Sequence, residues 1–425
     1  MKLLLKGGRV VDPATKTDAV LDVLLEDGLV ARLEPSIAAE GARVFEARGL
    51  VVAPGFVDMH AHLREPGEEW KETIETGTRA AAAGGFTAVA CMPNTVPVND
   101  ERAVTEFILA RSRESARVRV YPIGAITKGQ KGEQLAEIGD LVAGGAVAVS
   151  DDGHPVASGT LFRKALEYAS MFGVPVIDHC EDPDLSDEGV VNEGVVSTLL
   201  GLKGWNHSAE EVMVFRDLLL AEETGGRVHI AHASTAGSVA LVRDAKRRGV
   251  RASVEVTPHH LALTEDACRA YDTRAKMNPP LRTEADRRAL LEALADGTVD
   301  AIATDHAPHH EDEKNVEFAR APFGVIGLET AVSLALDRLV GAEKAPLPRL
   351  VALFSSGPCG ILGLPGGTLA PGSPADVTVI DLERLITVDV SRFQSKSRNS
   401  PFDGWALRGG PVATIVGGEI VHDVR

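Results

Sequence analysis

The stretch Phe56-Val57-Asp58-Met59-His60-Ala61-His62-Leu63-Arg64 follows a run of apolar residues and carries two histidines near its end. The apolar positions from Val51 to Val57 predict a buried strand that is interrupted by Pro54-Gly55. Because residues two apart on a strand point to the same side, His60 and His62 are predicted to present both imidazoles to one ion. Imidazole is a ligand for zinc, iron and nickel, so the stretch indicates a metal site, although this short spacing alone is weakly specific.

Strand and helix patterns alternate from about residue 50 to residue 365. Helical stretches separate the strands, and the alanine run 80–83 ends at Gly84-Gly85 as a helix C-terminus should. The predicted strands are 51–58, 87–92, 118–123, 146–149, 174–178, 228–231, 252–256 and 299–303. Eight strands in this alternation favour an α/β fold of the (β/α)8, TIM-barrel type. The alternative is a doubly wound open sheet, but its glycine-rich GxGxxG turn is absent.

Both ends of the chain differ from this alternating pattern, because they contain short strand patterns separated by Gly and Asp-Gly pairs. The candidate strands are 3–5, 9–11, 20–25 and 30–33 near the start, and 375–380, 414–416 and 419–421 near the end. We therefore expect residues 1–50 and 366–425 to combine into a small β-sandwich beside a barrel domain of residues 51–365.

Composition narrows the class of protein. The net charge of -17 argues against nucleic-acid binding, which needs a basic surface. The sequence holds no apolar run of the ~18 residues that a membrane span requires, and the start at Met1 turns polar too soon for a secretory signal. The four cysteines are scattered without CxxC spacing. These features predict a cytoplasmic enzyme with reduced thiols, no membrane partner and no nucleic-acid partner.

Polar residues follow most of the predicted barrel strands, at the ends where barrel enzymes carry their chemistry. These residues are His60 and His62, Asn94, Asp151-Asp152, His179, His232 and Asp305. Histidine and carboxylate ligands without thiolates are typical of an open, catalytic metal site. If two ions bind, Asp152 is the natural bridge from its place in strand order, and Asp305 can both bind metal and take a proton from water.

Four segments resemble the signatures of one family. They are GFVDMHAHLREPG at 55–67, MPNT at 92–95, MNPPLR at 277–282 and ATDHAPH at 303–309. Together they resemble the type I bacterial dihydroorotases of the amidohydrolase superfamily, and the likeness extends over nearly the whole chain.

The resemblance implies reversible cyclisation of N-carbamoyl-L-aspartate to L-dihydroorotate in pyrimidine (UMP) biosynthesis, by metal-bound hydroxide with Asp305 as general acid and base. Two alternatives stay open. One is another cyclic amide hydrolase, such as a hydantoinase, dihydropyrimidinase or allantoinase. The other is a non-catalytic scaffold for aspartate transcarbamoylase. The pair Arg64 and Asn94 favours a substrate with a carboxylate, and the complete ligand set disfavours a scaffold.

The resemblance also assigns residues to roles, with Zn²⁺ as the metal and one or two ions per subunit. His60 and His62 hold one ion with Asp305, His179 and His232 hold the second, and Asp152 bridges. The implied substrate-binding residues are His62, Leu63, Arg64, Asn94, Asn278, His309, Phe323 and Gly324. Many relatives bridge with a carboxylated lysine, but residues 147–153 contain no lysine. The choice of Asp152 over Asp151 rests on the family pattern, and Asp151 is left as a partner that orients a ligand.

Three further expectations concern a loop near the site, a pair of histidines and the assembly of the chain. The polar segment 309–315, with its continuation to 324, is interpreted as a lid or as a solvated loop. His259 and His260 are interpreted as support for the site or as structural residues. We also expect a homo-oligomer, and an active chain of this kind is also compatible with a complex with aspartate transcarbamoylase.

Overall fold

The structure is a computed structural model that describes residues 2–425, so Met1, the first residue of the predicted segment 1–50, lies outside the described residues. The strands are β1 (Lys2–Asp12), β2 (Thr17–Glu26), β3 (Leu29–Glu34), β4 (Arg43–Glu46), β5 (Val51–Pro54), β6 (Phe56–Ala61), β7 (Phe86–Cys91), β8 (Arg119–Pro122), β9 (Val149–Ser150), β10 (Val176–Asp178), β11 (Val191–Asn192), β12 (Gly204–Trp205), β13 (Val228–Ile230), β14 (Ala252–Val256), β15 (Ala301–Ile302), β16 (Val377–Thr387), β17 (Ala406–Val416) and β18 (Glu419–Asp423).

The α-helices are α1 (Ile74–Ala83), α2 (Arg102–Ser115), α3 (Ile138–Gly144), α4 (Gly159–Ser170), α5 (Pro183–Ser186), α6 (Val195–Leu200), α7 (Ser208–Thr224), α8 (Ala236–Arg248), α9 (Pro258–Ala262), α10 (Glu284–Ala295), α11 (Glu311–Lys314), α12 (Ala331–Ala335), α13 (Leu347–Phe354) and α14 (Ser356–Leu362). As predicted, α1 ends at Gly84. A capping box of Thr73 and Thr76 begins this helix, so both of its ends are set by local sequence. None of the helices within residues 2–425 combines the length and the apolar character needed to cross a membrane.

The centre of the molecule is a nearly closed barrel of parallel strands. Strands β6, β7 and β8 form one sheet, and β9, β10, β13, β14 and β15 form another. Two isolated parallel bridges join these sheets, Gly124 to Val149 and Ala61 to His306. The predicted (β/α)8 fold is therefore confirmed. The carboxyl ends of its strands open towards one mouth.

The prediction of one strand over 51–58 is wrong, because the chain changes sheets at Gly55. Strand β5 pairs with β16 in the sheet formed by the chain ends, whereas β6 belongs to the barrel. The Gly55 amide donates to the carbonyl of Asp376 (2.8 Å) at this crossing. A Cβ atom at position 55 would lie 2.2 Å from Thr87 Oγ1, so only glycine fits between the two sheets.

The two ends of the chain share one sheet in the order β18-β17-β16-β5-β1-β2-β3, with β4 paired to β1. Strand β1 is continuous, with a register shift between Leu5 and Gly8, where two separate strands are predicted. The sequence also gives no sign of β4, in which only Phe45 is buried. One apolar cluster with members from β1, β5, β16 and β17 fills the core of this sheet. The domain limits near residues 50 and 365 stay a prediction.

An aromatic group closes the end of the barrel opposite the mouth. Phe354, from α13, stacks on Phe56 with ring centroids 5.4 Å apart and meets Phe86 edge-on at 5.8 Å. All three side chains are fully buried. They join the C-terminal helices to the first two barrel strands, and so hold β6 in the position from which it presents the histidines.

We predict that Phe354→Ala lowers the free energy of unfolding by about 3–5 kcal/mol, because it removes a large buried ring and leaves a cavity. Urea denaturation followed by circular dichroism measures the loss. Phe107→Ala is the matched control, since that ring is 43% exposed, and it should change stability by only about 0.5 kcal/mol. Equal losses in the two variants would contradict the assigned role.

Candidate metal centre

Six side chains predicted as metal ligands converge at the mouth of the barrel, and all six are buried. They are His60, His62, Asp152, His179, His232 and Asp305. Ligand atoms of His60, His62 and Asp305 lie within 4.8 Å of one another, and so do those of His60, Asp152 and His232. His179 joins the group because its Nδ1 lies 2.9 Å from His232 Nε2 and 3.7 Å from Asp152 Oδ1.

Asp152 lies at the centre of this arrangement. Its carboxylate oxygens are 3.3 Å from His60 Nε2, 3.4 Å from His62 Nε2 and 3.5 Å from His232 Nε2. His60 Nε2 and Asp152 Oδ1 are nevertheless both buried without a hydrogen-bond partner within the described residues. Buried lone pairs left in this way are costly unless a cation accepts them. The nitrogen and oxygen donor set, without thiolates, fits a catalytic zinc-type centre.

Three of the histidines are held by an oxygen on the side that faces away from the cluster. His60 Nδ1 lies 2.7 Å from Glu255 Oε1, His62 Nδ1 lies 2.8 Å from Asn94 Oδ1, and His179 Nε2 lies 3.0 Å from Glu181 Oε2. An N–H donated to each of these oxygens leaves the lone pair of the other ring nitrogen facing the cluster. Such contacts fix both the tautomer and the orientation of a metal ligand.

Electrostatics keep the acids of the cluster ionised. Burial on its own would raise the pKa of Asp305, but the neighbouring imidazoles of His62 and His60 bring this pKa down to about 2. The pKa of Asp152 is held well below its ordinary value against the same burial, chiefly by His60 and His232. Ionised carboxylates next to imidazoles are able to bind a divalent cation at neutral pH.

Asp151, the alternative to Asp152, points away from the cluster. One oxygen accepts the amides of Ile126 (2.8 Å) and Thr127 (3.0 Å), and the other accepts the Thr127 hydroxyl. Burial raises the pKa of Asp151 to about 6. This carboxylate therefore anchors the loop after β8 and leaves the neighbouring Asp152 to face the histidines.

Three residues at the site have left-handed backbone conformations. Arg64 has φ of 61°, His232 of 31° and Asp305 of 47°. Such a conformation costs a residue other than glycine on the order of 1–3 kcal/mol and persists only where surrounding contacts hold it. Close by, Asp58 accepts hydrogen bonds from the amide (2.9 Å) and the hydroxyl of Thr304, which ties the first barrel strand to the last.

Several predicted substrate residues lie beside the cluster with unused polar groups. Arg64 is buried and donates through Nε to the carbonyl of Pro308 (3.2 Å). Asn278 donates to Glu181 (3.1 Å), and its Oδ1 is buried without a partner in the described chain. Burial, together with nearby positive charge from Arg64, lowers the pKa of His309 to about 2, so its ring is neutral.

Other predicted substrate residues are already engaged. Asn94 holds His62, as described above. The side chain of Leu63 belongs to the main apolar core, which leaves only its backbone for a ligand. The Gly324 amide donates to the carbonyl of Lys276 (2.9 Å). Phe323 packs edge-on against Trp205, with ring centroids 6.3 Å apart.

His260 and Lys314, around the mouth of the barrel, form hydrogen bonds with other parts of the chain. His260 bonds Thr257 Oγ1 (2.8 Å) and the carbonyl of Pro279 (3.1 Å), whereas His259 is buried with Nε2 unpartnered within residues 2–425. In the segment predicted as a lid, Lys314 is buried and donates to the carbonyl of Pro322 (2.7 Å). Movement of this segment stays a prediction.

Sequence reasoning missed Glu255 and Glu181. Glu255 lies in the apolar strand Ala-Ser-Val-Glu-Val, where period-two alternation places it on the opposite side from Val254 and Val256. An acid on the inner face of a barrel strand was the available signal. Glu181 follows His179 by two residues, and no pattern in the sequence marks its contact with the ring.

Known proteins resemble this chain over its whole length. The profile of the family described as Dihydro-orotase-like matches residues 49–238, and that of the Amidohydrolase family matches residues 208–422. The dihydroorotase of Pelotomaculum thermopropionicum is 58% identical over 100% of this chain and 99% of that protein. The dihydroorotase of Geobacter metallireducens is 55% identical over 99% of this chain and 100% of that protein.

Among solved structures, the L-hydantoinase (dihydropyrimidinase) from Arthrobacter aurescens superposes with a TM-score of 0.89 at 26% sequence identity. The match covers 99% of this chain and 96% of that one. The dihydropyrimidinase from Brevibacillus agri has a TM-score of 0.86 at 22% identity. At this low identity the similarity supports the fold alone.

We predict that Glu255→Gln weakens metal binding by about 10- to 100-fold, because the carboxylate that orients His60 is lost. Metal content after dialysis against graded chelator, measured by mass spectrometry, reports the affinity. Glu223→Gln, an exposed acid at the end of α7, is the control and should bind metal like the unmodified chain. Unchanged affinity in the Glu255 variant would show that the contact has no part in holding metal.

Proposed function

The chain belongs to the dihydroorotase family of metal-dependent cyclic amide hydrolases, and we propose that its barrel mouth interconverts L-dihydroorotate and N-carbamoyl-L-aspartate. This reaction belongs to pyrimidine biosynthesis. The observation that carries the proposal is the buried guanidinium of Arg64, which interacts electrostatically with Asp305 and Asp152 in a cluster of four imidazoles and two carboxylates. The cluster suits amide hydrolysis, and the guanidinium suits a substrate that carries a carboxylate.

The metal in the proposal is zinc, one or two ions per subunit. His60, His62 and Asp305 would hold one ion, His179 and His232 the second, and Asp152 would bridge. When bound, the metal supplies a Lewis acid that polarises the ring carbonyl and makes water more acidic. The unpartnered atoms His60 Nε2 and Asp152 Oδ1 support this assignment, because a cation would satisfy both.

Substrate would be held by groups that still have free donors or acceptors. Arg64 uses Nε on Pro308, and its Nη1 lies 3.8 Å from Glu68 Oε2. This is longer than a hydrogen bond, so the terminal nitrogens keep N–H groups for the substrate carboxylate. Asn278 Oδ1 would accept a ring N–H, and the neutral His309 ring would contact the carboxylate or the ring. In this proposal Asn94 acts first through His62, and Leu63, Phe323 and Gly324 contribute backbone groups.

Asp305 would move the proton in both directions. In hydrolysis its carboxylate takes a proton from the attacking water, whose oxygen bonds to the ring carbonyl carbon. The carbon–nitrogen bond then breaks, and Asp305 returns the proton to the leaving nitrogen. In cyclisation Asp305 takes the proton of the ureido nitrogen, which attacks the carbon of the protonated side-chain carboxyl group. The carbon–oxygen bond to its hydroxyl then breaks, and Asp305 returns the proton to that oxygen, which leaves as water. The low pKa of Asp305 supports its role as an ionised base.

Two other functions are less well supported by the site. One is another cyclic amide hydrolase, a hydantoinase or allantoinase, but the buried Arg64 favours a substrate with a carboxylate. A non-catalytic scaffold for aspartate transcarbamoylase would have no use for an intact set of six ligands. An active homo-oligomer, alone or in complex with that enzyme, is the assembly we propose. We place it in the cytoplasm, where its four free thiols would stay reduced.

The test is an assay of the purified chain with dihydroorotate at alkaline pH and with N-carbamoyl-aspartate at mildly acidic pH. We expect turnover of both, little with hydantoin or allantoin, loss on chelation and recovery with zinc. Preference for hydantoin would favour the hydantoinase function. No turnover of any of these substrates by zinc-loaded protein would favour the scaffold.

We predict that Asp305→Asn lowers kcat by about 10²- to 10⁴-fold, because the amide cannot take the proton from water. Steady-state kinetics measure kcat, and metal analysis of the same sample separates lost chemistry from lost metal. Asp312→Asn is the control, since this side chain is 91% exposed on the nearby α11, and its kcat should be unchanged. Near-normal turnover of the Asp305 variant would refute the proton-transfer role.

A further inference from the structure

Asn399 lies in the C-terminal segment just before β17, far along the chain from the barrel strands, and its side chain is buried. Its amide nitrogen donates to the carbonyls of Ala307 (2.9 Å) and Gly324 (3.1 Å). Its amide oxygen accepts the N–H of His309 (3.2 Å). The backbone carbonyl of Asn399 accepts the amide of Ile326 (3.0 Å). Both N–H donors and the oxygen of the side chain are therefore in use.

These bonds join two loops that carry predicted substrate residues. One loop follows Asp305 and contains His309, and the other contains Phe323 and Gly324. The loops contact each other through the amide of Ala307 and the carbonyl of Val325 (2.8 Å). A Cβ atom on Gly324 would lie 2.8 Å from the Ala307 Cβ, so the loops are as close as their backbones allow.

A second contact from the same segment lies near the metal ligands. Ser395 donates its hydroxyl to Glu72, and the amide of Lys396 donates to the same carboxylate (3.2 Å). Glu72 also accepts from His306 Nε2 (3.4 Å), the neighbour of Asp305. The segment is thus fixed at one end while Asn399 reaches the substrate loops at the other.

We propose that Asn399 is a positioning residue for substrate binding, which holds His309 and the 323–324 backbone at the distance from Arg64 that the substrate requires. The proposal rests on the function proposed above. Asparagine suits the position because only an uncharged amide offers two donors to carbonyls and an acceptor to an N–H on one short side chain. Aspartate would place a charged oxygen against two carbonyl oxygens, and alanine would leave three buried backbone groups unpaired.

The experiment compares Asn399→Ala and Asn399→Asp with Ser400→Ala in the full-length, zinc-loaded protein. Ser400 is the matched control, because it is buried in the same segment and its hydroxyl oxygen, within residues 2–425, accepts a single hydrogen bond, from the amide of Phe402 (3.4 Å). We measure KM and kcat for dihydroorotate, metal content, and hydrogen exchange of segment 305–326. Both Asn399 variants should raise KM about tenfold or more with full metal content and faster exchange in the segment, whereas Ser400→Ala should change KM less than about twofold.

A merely structural role predicts a different result. Lower yield or melting temperature, with unchanged KM and exchange in the folded fraction, would overturn the proposal. If one of the two Asn399 variants does not fold, the other is still compared with Ser400→Ala. If the unmodified chain fails to turn over dihydroorotate, the proposed function fails by itself, and hydrogen exchange still decides whether Asn399 fixes the two loops.

Discussion

Buried lone pairs that face one another are the constraint on which this structure depends. Four imidazoles and two carboxylates share the mouth of the barrel, and the distances from Asp152 to its three nearest histidines are between 3.3 and 3.5 Å. Neither His60 Nε2 nor Asp152 Oδ1 finds a hydrogen bond in the described chain. Such an arrangement is costly unless the rest of the structure keeps the groups in place and a proton or a cation lies between them.

Much of the surrounding structure meets that requirement. Glu255, Asn94 and Glu181 each take the outward N–H of one histidine. Asp58 joins the first barrel strand to the last, and Asp151 anchors the loop after β8. Each of these groups is buried or partly buried, so its hydrogen bonds act in a medium of low dielectric, where they are strong. The left-handed backbone of His232 and Asp305 indicates how firmly these positions are held.

The sequence predicts the barrel and the convergence of ligands well, because both depend on local rules. Strand periodicity places His60 and His62 on one side, and barrel geometry brings the strand ends together. Prediction from the sequence fails where the local structure depends on residues far away in the chain. The break at Gly55 arises because β5 pairs with β16, more than 300 residues later (Val52 with Val379). The Glu255 contact arises across strands, and Gly324 lies in a loop whose hydrogen bonds no pattern specifies. The roles of individual site residues are likewise not predicted by sequence patterns, since they depend on how a substrate binds.

The sheet shared by the two chain ends has a consequence for synthesis on the ribosome. Strand β5 enters the barrel through Gly55, yet its partner β16 is made only after every barrel strand has been translated. Asn399 follows later still. A nascent chain therefore holds all six predicted metal ligands while β5 still lacks its partner β16, and while the loops around His309 and Gly324 still lack their hydrogen bonds to Asn399. The loops at the mouth of the barrel therefore reach their final positions only after the segment that carries Asn399 has been added, when the side chains of the cluster are already in the chain.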